Sequence, residues 1–502
     1  MTSPTTLHTA KGTGPELALV IAALSDDYTV VAGAKRLIRS TRLDTFDRRL
    51  RAVGLRLDHQ RLASEERLVL SRRDGSSIVT VPVADLGWPA FADILPGPVR
   101  DVIASVTGIR ALMVTSDERR RVQKLELHNE EGKTVARVEM DEPASAAAGP
   151  SRLTVRTLRG YDEQSRRAAR LLVGLGLRAV EDSDNRDPRS SAPAAAIDRA
   201  VPAVLLVKTA LSDFLDTMCE NLPGLLDDVD TEFLHDFRVA VRRTRATLKL
   251  GRPVLPAVMR SRWEPAFKGL GDMSTPVRDL DVYEMNLPTM TGWLVAADPA
   301  DLAPFVSHLQ ARRAAERRTL ERGLRSAKFR RLVVDWGEEL AELGDAPDDD
   351  NREHLSAGEL ADRSISRAYG RVVRGGAVIS DDSAAEDLHA LRKRCKELRY
   401  ALEVHAPVLG SGPRKRVVAD LKGLQDVLGR FQDSQVQRHG LRGFAEEMMS
   451  DGTPVAAVLA MGELIGHLDA EQDRARLEFH DSFTRFARPS SHDLMHQLGG
   501  GT

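Results

Sequence analysis

Cysteine is almost missing from this 502-residue chain, with Cys219 and Cys395 as the only two. They stand far apart, which excludes a disulfide framework and a zinc site of closely spaced thiolates and fits a reducing cytosol. Aromatics are also scarce, at 4% against a charged fraction of 29%, the balance of a soluble, helix-rich protein. No long hydrophobic run occurs near the start. The longest, LALVIAAL from Leu17, is too short to span a bilayer. It follows Glu16 rather than a basic segment and lacks a cleavage site, so no signal peptide is expected. An excess of one charge is missing too: the net charge is −2. Anion binding must therefore come from local patches, not from a global basic field. P-loop, dinucleotide and nucleophile-elbow motifs are absent.

What is present divides into regions. A hydrophobic content of 42% supports sizeable cores, and this length implies roughly three domains. Residues 1–26 read as a flexible tail and 27–181 as an α+β domain of alternating strand-like and helical segments. Within it, RLVLSRRDGSSIVTVPV from Arg67 predicts a hairpin about Asp74-Gly75. VQKLELHNEEGKTVARVEMDE from Val122 predicts a second, and RLTVRTLRG from Arg152 a further strand. The Ser-, Pro- and Ala-rich stretch 182–196 reads as a linker. Long amphipathic patterns then predict helices over 197–344 and 359–488, with a second linker at 345–358 and a tail at 489–502.

The two helical stretches repeat each other. HDFRVAVRRTRATLKL from His235 and HALRKRCKELRYALEV from His389 lie 154 residues apart. Arg238, Arg242 and Arg245 fall on Arg392, Lys396 and Arg399. FKGLGDMSTPVRDLDV from Phe267 lies over LKGLQDVLGRFQDSQV from Leu421 at the same offset, pairing Lys268 with Lys422, Asp272 with Asp426 and Asp279 with Asp433. An ungapped match in two blocks marks an internal duplication.

At about 100° per residue, the histidine and its three cations form one stripe on each helix. Lys249 extends the first stripe, whereas Glu403 takes that place in the second. Phe237, Val241 and Leu248, like Leu391, Cys395 and Leu402, fall together on a side that packs. Cations spaced four apart repel by a few tenths of a kcal/mol per pair. A ridge of them built twice points to an anionic partner. A solvated face would need charge of either sign, but the duplicate keeps Arg or Lys at each place. His235 and His389 have no second His or Cys at ligand spacing, so they read as hydrogen-bond donors rather than metal ligands. Asp279 and Asp433 read as acids that orient cations or cap helices, not as catalysts. The run Arg414, Lys415, Arg416 either extends the anion path or belongs to a solvated loop.

On HDFRVAVRRTRATL, PVRDLDV from Pro276, LHALRKRCKELRYALE from Leu388 and LKGLQDVLG from Leu421, the region 197–488 resembles the CHAD family (conserved histidine α-helical domain). The resemblance implies two pseudo-symmetric helical halves whose basic faces line a channel for inorganic polyphosphate. It carries that role to Arg238, Arg242, Arg245, Arg392, Lys396 and Arg399, with His235 and His389 as the family histidines. The N-terminal region is similar to a CYTH-type triphosphate tunnel, on LDTFDRRLRAVGLRL from Leu43, the hairpin after Val122 and LRGYDEQ from Leu158. Active CYTH enzymes open with a Glu-x-Glu-x-Lys strand that holds a divalent metal. No such triplet occurs before Asp44, so the domain reads as a degenerate relative. Glu126, Glu139 and Asp141 are the acids left to supply part of a metal site. Of the cations there, Arg42, Arg48, Arg56 and Lys124 are candidates to face the interior.

The expected function is therefore cytoplasmic binding of inorganic polyphosphate, with association to polyphosphate granules, without catalysis, resident metal or cofactor. The candidate contacts are the two stripes together with Lys249, Lys268, Lys422, Arg414, Lys415 and Arg416. A metal-dependent triphosphatase in the N-terminal domain is the first alternative, and it alone would bring in a divalent metal. Nucleic-acid binding is the second. Against it, the stripes carry no interleaved aromatics apart from Tyr400. No membrane partner is expected, and the sequence leaves the oligomeric state open.

Overall fold

Alternating hydrophobicity in the first 180 residues and helical periodicity after residue 197 separate into two units, Met1–Ser191 and Ala192–Thr502. The computed structural model describes residues 5–8, 15–73, 76–84, 86–144, 151–179, 197–344, 354–450 and 452–488. The expected linker 182–196, the tail 489–502, most of the linker 345–358 and the Asp74-Gly75 turn lie outside the described residues.

The first unit is an antiparallel sheet of ten strands: β1 (Thr5–His8), β2 (Thr29–Ala32), β3 (Arg36–Asp44), β4 (Leu55–Arg61), β5 (Glu66–Arg72), β6 (Ser77–Val83), β7 (Met113–His128), β8 (Thr134–Pro143), β9 (Arg152–Thr157) and β10 (Arg178–Ala179). Their order is β10-β1-β9-β8-β7-β3-β4-β5-β6, and β2 pairs with β7. Both expected hairpins form, as β5–β6 and β7–β8. The second closes where Gly132 takes a φ of 74°, which a side chain would resist. Period-two burial places Leu125, Leu127, Val138, Met140, Leu153 and Val155 in one core. Helices α1 (Leu17–Ser25) and α4 (Asp162–Val173) cover it.

That packing corrects the reading of residues 1–26 as a tail. Val20 and Leu24 of α1 are fully buried, because an eight-residue apolar run gains more by covering the sheet than by staying in water. A short helix, α2 (Arg49–Ala52), and α3 (Gly97–Thr107) close a second core around Leu43, Leu57, Leu68 and Leu70.

The helical unit contains α5 (Ala203–Leu226), α6 (Thr231–Leu250), α7 (Ala257–Thr291), α8 (Ala303–Leu324), α9 (Ala327–Glu342), α10 (Ala357–Gly376), α11 (Ala385–Val404), α12 (Ser411–Ser450) and α13 (Val455–Phe486). The duplication governs their boundaries: α10, α11 and α12 each begin 154 residues after α5, α6 and α7. Only the last element differs, since α8 and α9 occupy the place of the single α13. Ser326 caps α9 by accepting from the Phe329 amide.

The halves meet at equivalent positions. The Ala203 amide donates to Leu355 O (2.8 Å) and, reciprocally, Ala357 donates to Val201 O (2.7 Å). The Tyr283 hydroxyl donates to Gln437 O at 2.8 Å, again across 154 residues. Contacts between a residue and its own counterpart are the signature of a twofold-type interface, here within one chain. One core joins Leu280, Tyr283 and Phe305 to Leu441, Met461 and Leu464, so the two halves fold as one body. None of the described helices is long and apolar enough to cross a membrane.

Candidate functional site

Helices α6 and α11 carry the two cation stripes. Their packing sides are as the periodicity predicts: Phe237, Val241, Leu248, Leu391, Cys395 and Leu402 are at most 1% exposed. The Asp230 side chain fixes the start of α6 by accepting from the amides of Glu232 and Phe233. With these sides buried, each stripe turns to the long helix that follows it.

In the second half, His389 Nδ1 donates to Gln432 Oε1 at 2.5 Å, and Arg392 pairs with Asp433 at 3.1 Å. In the first half, Arg278 and Asp279 hold the equivalent places. Burial, then the neighbouring Arg278, lower the His235 imidazole below its ordinary value and favour the neutral ring. Arg238 donates to Gly271 O (3.1 Å), Ser274 Oγ (2.8 Å) and Thr275 Oγ1 (3.0 Å). Asp279 offsets part of the burial cost of that guanidinium. Asp433 thus pairs with a cation, Asp279 lies near Arg238 and Arg278, and His389 is a hydrogen-bond donor.

The centre of the site lies where the stripes meet. Arg242 and Lys396 are each other's counterparts, and they stand close enough to repel. Burial first, then Arg392 and Arg242, push the Lys396 ammonium down to about 8, with only Asp433 opposing. Arg242 also meets the hydroxyl of Tyr400. Among the described residues, no ion pair engages Arg242, Arg245 or Lys396. Arg245 extends its guanidinium against Gly271, where a Cβ would stand 3.3 Å from Nη1.

Other candidates are spent differently. Arg399 donates to Glu403 at 2.8 Å, and the same carboxylate takes Arg243 at 3.0 Å. Lys268 pairs with Asp272 at 3.2 Å on the exposed side of α7. Lys249 and Lys422 are exposed. Arg414, Lys415 and Arg416 lie in the first turns of α12, not in a loop; Arg414 is partly buried and the other two are exposed. Arg243 and Arg278 were not singled out by the repeat, because their counterparts are Glu397 and Gln432. Their sequence signal was only a cation beside a repeated residue, Arg242 for Arg243 and Asp279 for Arg278.

The first unit has its own buried charges. Asp58 accepts from Arg42 (3.1 Å) and Arg56 (2.6 Å) across β3–β4. Arg120 on β7 donates to Asp141 (2.5 Å) and Glu118 (3.0 Å). Burial lowers Arg152, and Arg120, Arg56 and Arg42 add to the effect. Arg42 and Arg56 thus face the interior, whereas Lys124 is exposed and Arg48 sits at the start of α2 with a φ of 61°. The remaining acids of the later strands are also taken: Glu126 by Arg137 at 3.1 Å and Glu139 by Arg156 at 3.6 Å. Among the described residues, no group of three His, Cys, Asp or Glu side chains stands together as a metal site. A divalent ion at Glu126, Glu139 or Asp141 would compete with the arginine beside each carboxylate.

A duplicated helical bundle that brings two cation ridges together defines the class of the second unit. Residues 209–442 match the sequence model of the CHAD domain, and this chain carries a CHAD domain there. Among solved structures, the CHAD domain from the plant Ricinus communis is similar, at 24% identity over 62% of this chain and 96% of that one, with a TM-score of 0.46. PptA from Streptomyces chartreusis matches at 16% identity over 56% of this chain and 99% of that one, with a TM-score of 0.45. A protein from Hippeastrum described as having a dominant triphosphatase activity matches at 15% identity over 37% and 99%, with a TM-score of 0.24. No curated protein matches the chain.

Proposed function

We propose that the helical unit binds inorganic polyphosphate along the two ridges of α6 and α11, in the cytoplasm and on polyphosphate granules. The observation that carries this reading is the meeting of Arg242 with Lys396, a repulsion that only Asp433 opposes in the ligand-free protein. A chain of phosphates presents only anionic oxygens, which guanidinium groups grip in bidentate fashion and an ammonium meets as a point charge. Arg238, Arg245 and Arg392 extend the path on either side, with His235 and His389 beside it. Lys249, Lys422, Lys415 and Arg416 lie on the exposed margin, where they attract the polymer at longer range. Binding also releases counterions condensed on the polymer.

Residues 197–488 alone should keep most of the full-length affinity for long-chain polyphosphate, measured by titration calorimetry. Affinity should also fall steeply as salt rises, since several cations replace condensed counterions. Loss of binding on this truncation, with helicity intact by circular dichroism, would move the site to the first unit.

The depressed Lys396 gives the site a second, proton-linked readout. Between pH 8 and the ordinary lysine value of 10.5, the unfolded chain holds more protons than the folded one. Stability of the ligand-free protein should therefore rise with pH across that window. Lys396→Met should remove this rise and stabilise the protein at pH 7 by on the order of 1–2 kcal/mol, after allowance for solvent screening. Phosphates restore the charged form, so binding above pH 8 should take up a proton, read as a dependence of the calorimetric heat on buffer ionisation.

A further inference from the structure

A cavity of about 210 Å³ opens beside the ridge, lined by Phe214, Arg243, Tyr400, Glu403, Val404 and Arg414. The four helices around it, α5, α6, α11 and α12, belong to the duplication, but most of the lining has no copy in the other half: Phe214 corresponds to Ala368, Tyr400 to Ala246 and Glu403 to Lys249, and only Arg414 keeps its residue, as Arg260. The Arg243 guanidinium lies 5.9 Å from the centre of the Phe214 ring. Among the wall side chains, Nε of Arg243 and Nε of Arg414 are buried with no hydrogen-bond partner, while Oε2 of Glu403 stands 3.0 Å from the Arg243 guanidinium. Tyr400 belongs to both places, since it lines the cavity and meets Arg242 of the ridge.

This lining is poorly matched to phosphate alone. A phosphate chain gains nothing from two aromatic rings, and Arg243 is already drawn to Glu403 rather than left free for it. A planar heterocycle that offers both acceptors and donors matches the rings, the guanidinium groups and the carboxylate together. We propose that the cavity takes the base of a nucleoside polyphosphate whose phosphates run onto the ridge at Arg242 and Lys396. The second half of this statement rests on the ridge holding phosphates. The first half rests on the cavity. Stacking against Phe214 and Tyr400 selects a flat ring without strong preference among bases, and Glu403 favours a base bearing an amino group.

The test is calorimetric titration of the full chain with adenosine triphosphate, guanosine triphosphate, inorganic triphosphate and long-chain polyphosphate at one ionic strength. The nucleotides should bind about tenfold or more tightly than inorganic triphosphate, the worth of one base–aromatic stack. Phe214→Leu should erase that advantage while leaving the affinity for polyphosphate unchanged. Val404→Phe, which fills the cavity from another wall, should do the same, and thermal melts confirm that each variant folds. Equal binding of all three triphosphates, with polyphosphate still bound, overturns the cavity proposal alone. Nucleotide binding sensitive to Phe214→Leu, without polyphosphate binding, supports the cavity and overturns the ridge reading. A nucleotide advantage that survives both substitutions also overturns the cavity proposal.

Discussion

Reversing Arg242 and Lys396 together to glutamate is expected to weaken polyphosphate binding by on the order of 3 kcal/mol, more than a hundredfold in Kd. Each reversal replaces an attraction with a repulsion at the place where the two ridges meet. Reversing Arg72 and Arg73, which are exposed at the end of β5, should change affinity far less. Comparable losses from both pairs would mean that diffuse charge, not a defined site, holds the polymer. The single variant Lys396→Glu makes a sharper distinction. It sets an acid against Arg242 and Arg392, so the ligand-free protein should become more stable while its affinity falls. A surface salt bridge gives no reason for stability and binding to move in opposite directions. A site built from partly compensated repulsion does.

The ridges were legible because a helix period converts spacing into a face, and the packing sides of α6 and α11 turn inward as the period requires. Repetition at a fixed offset did more, since it carried the starts of three helices from one half to the other. What the spacing of residues could not tell is which charges are spent locally. Arg399 matches Arg245 in sequence, yet it leans on Glu403, a residue that stands where the first half has Lys249. The strands were harder. Alternation separates two faces without naming the inner one, so the interior arginines Arg120 and Arg152 were not picked out, while exposed Lys124 was. The helix from Leu17 escaped notice because a short apolar run has no period of its own to read.

The largest stability effect is expected away from the ridges, at Arg313. Its guanidinium bonds Asp281 of α7 at 2.7 Å and Asp228 of the α5–α6 turn at 3.0 Å, and it lies 3.2 Å from Glu284. Asp281 is 1% exposed, and the acids around Arg313 hold that guanidinium well above the ordinary arginine range. Arg317, one turn along, donates to Leu225 O and Leu226 O and so caps the end of α5. The duplication does not repeat this clamp, for Gln435 and His467 stand at the matching places. Arg313→Met should cost about 3–5 kcal/mol in urea unfolding, because it strands a buried carboxylate rather than merely losing an attraction. Burial already pushes the Asp281 carboxyl up, and Arg313 is the main group holding it down. In the variant the folded state should therefore bind a proton that the unfolded chain does not at neutral pH. Its stability should then rise as the pH falls from 7 toward 5, a gain larger than in the parent protein. Adding Asp281→Asn to Arg313→Met should recover part of the loss at pH 7 and flatten that dependence. Equal loss in the single and double variants, with no response to pH, would show that Arg313 acts by packing its stem and not through its charge.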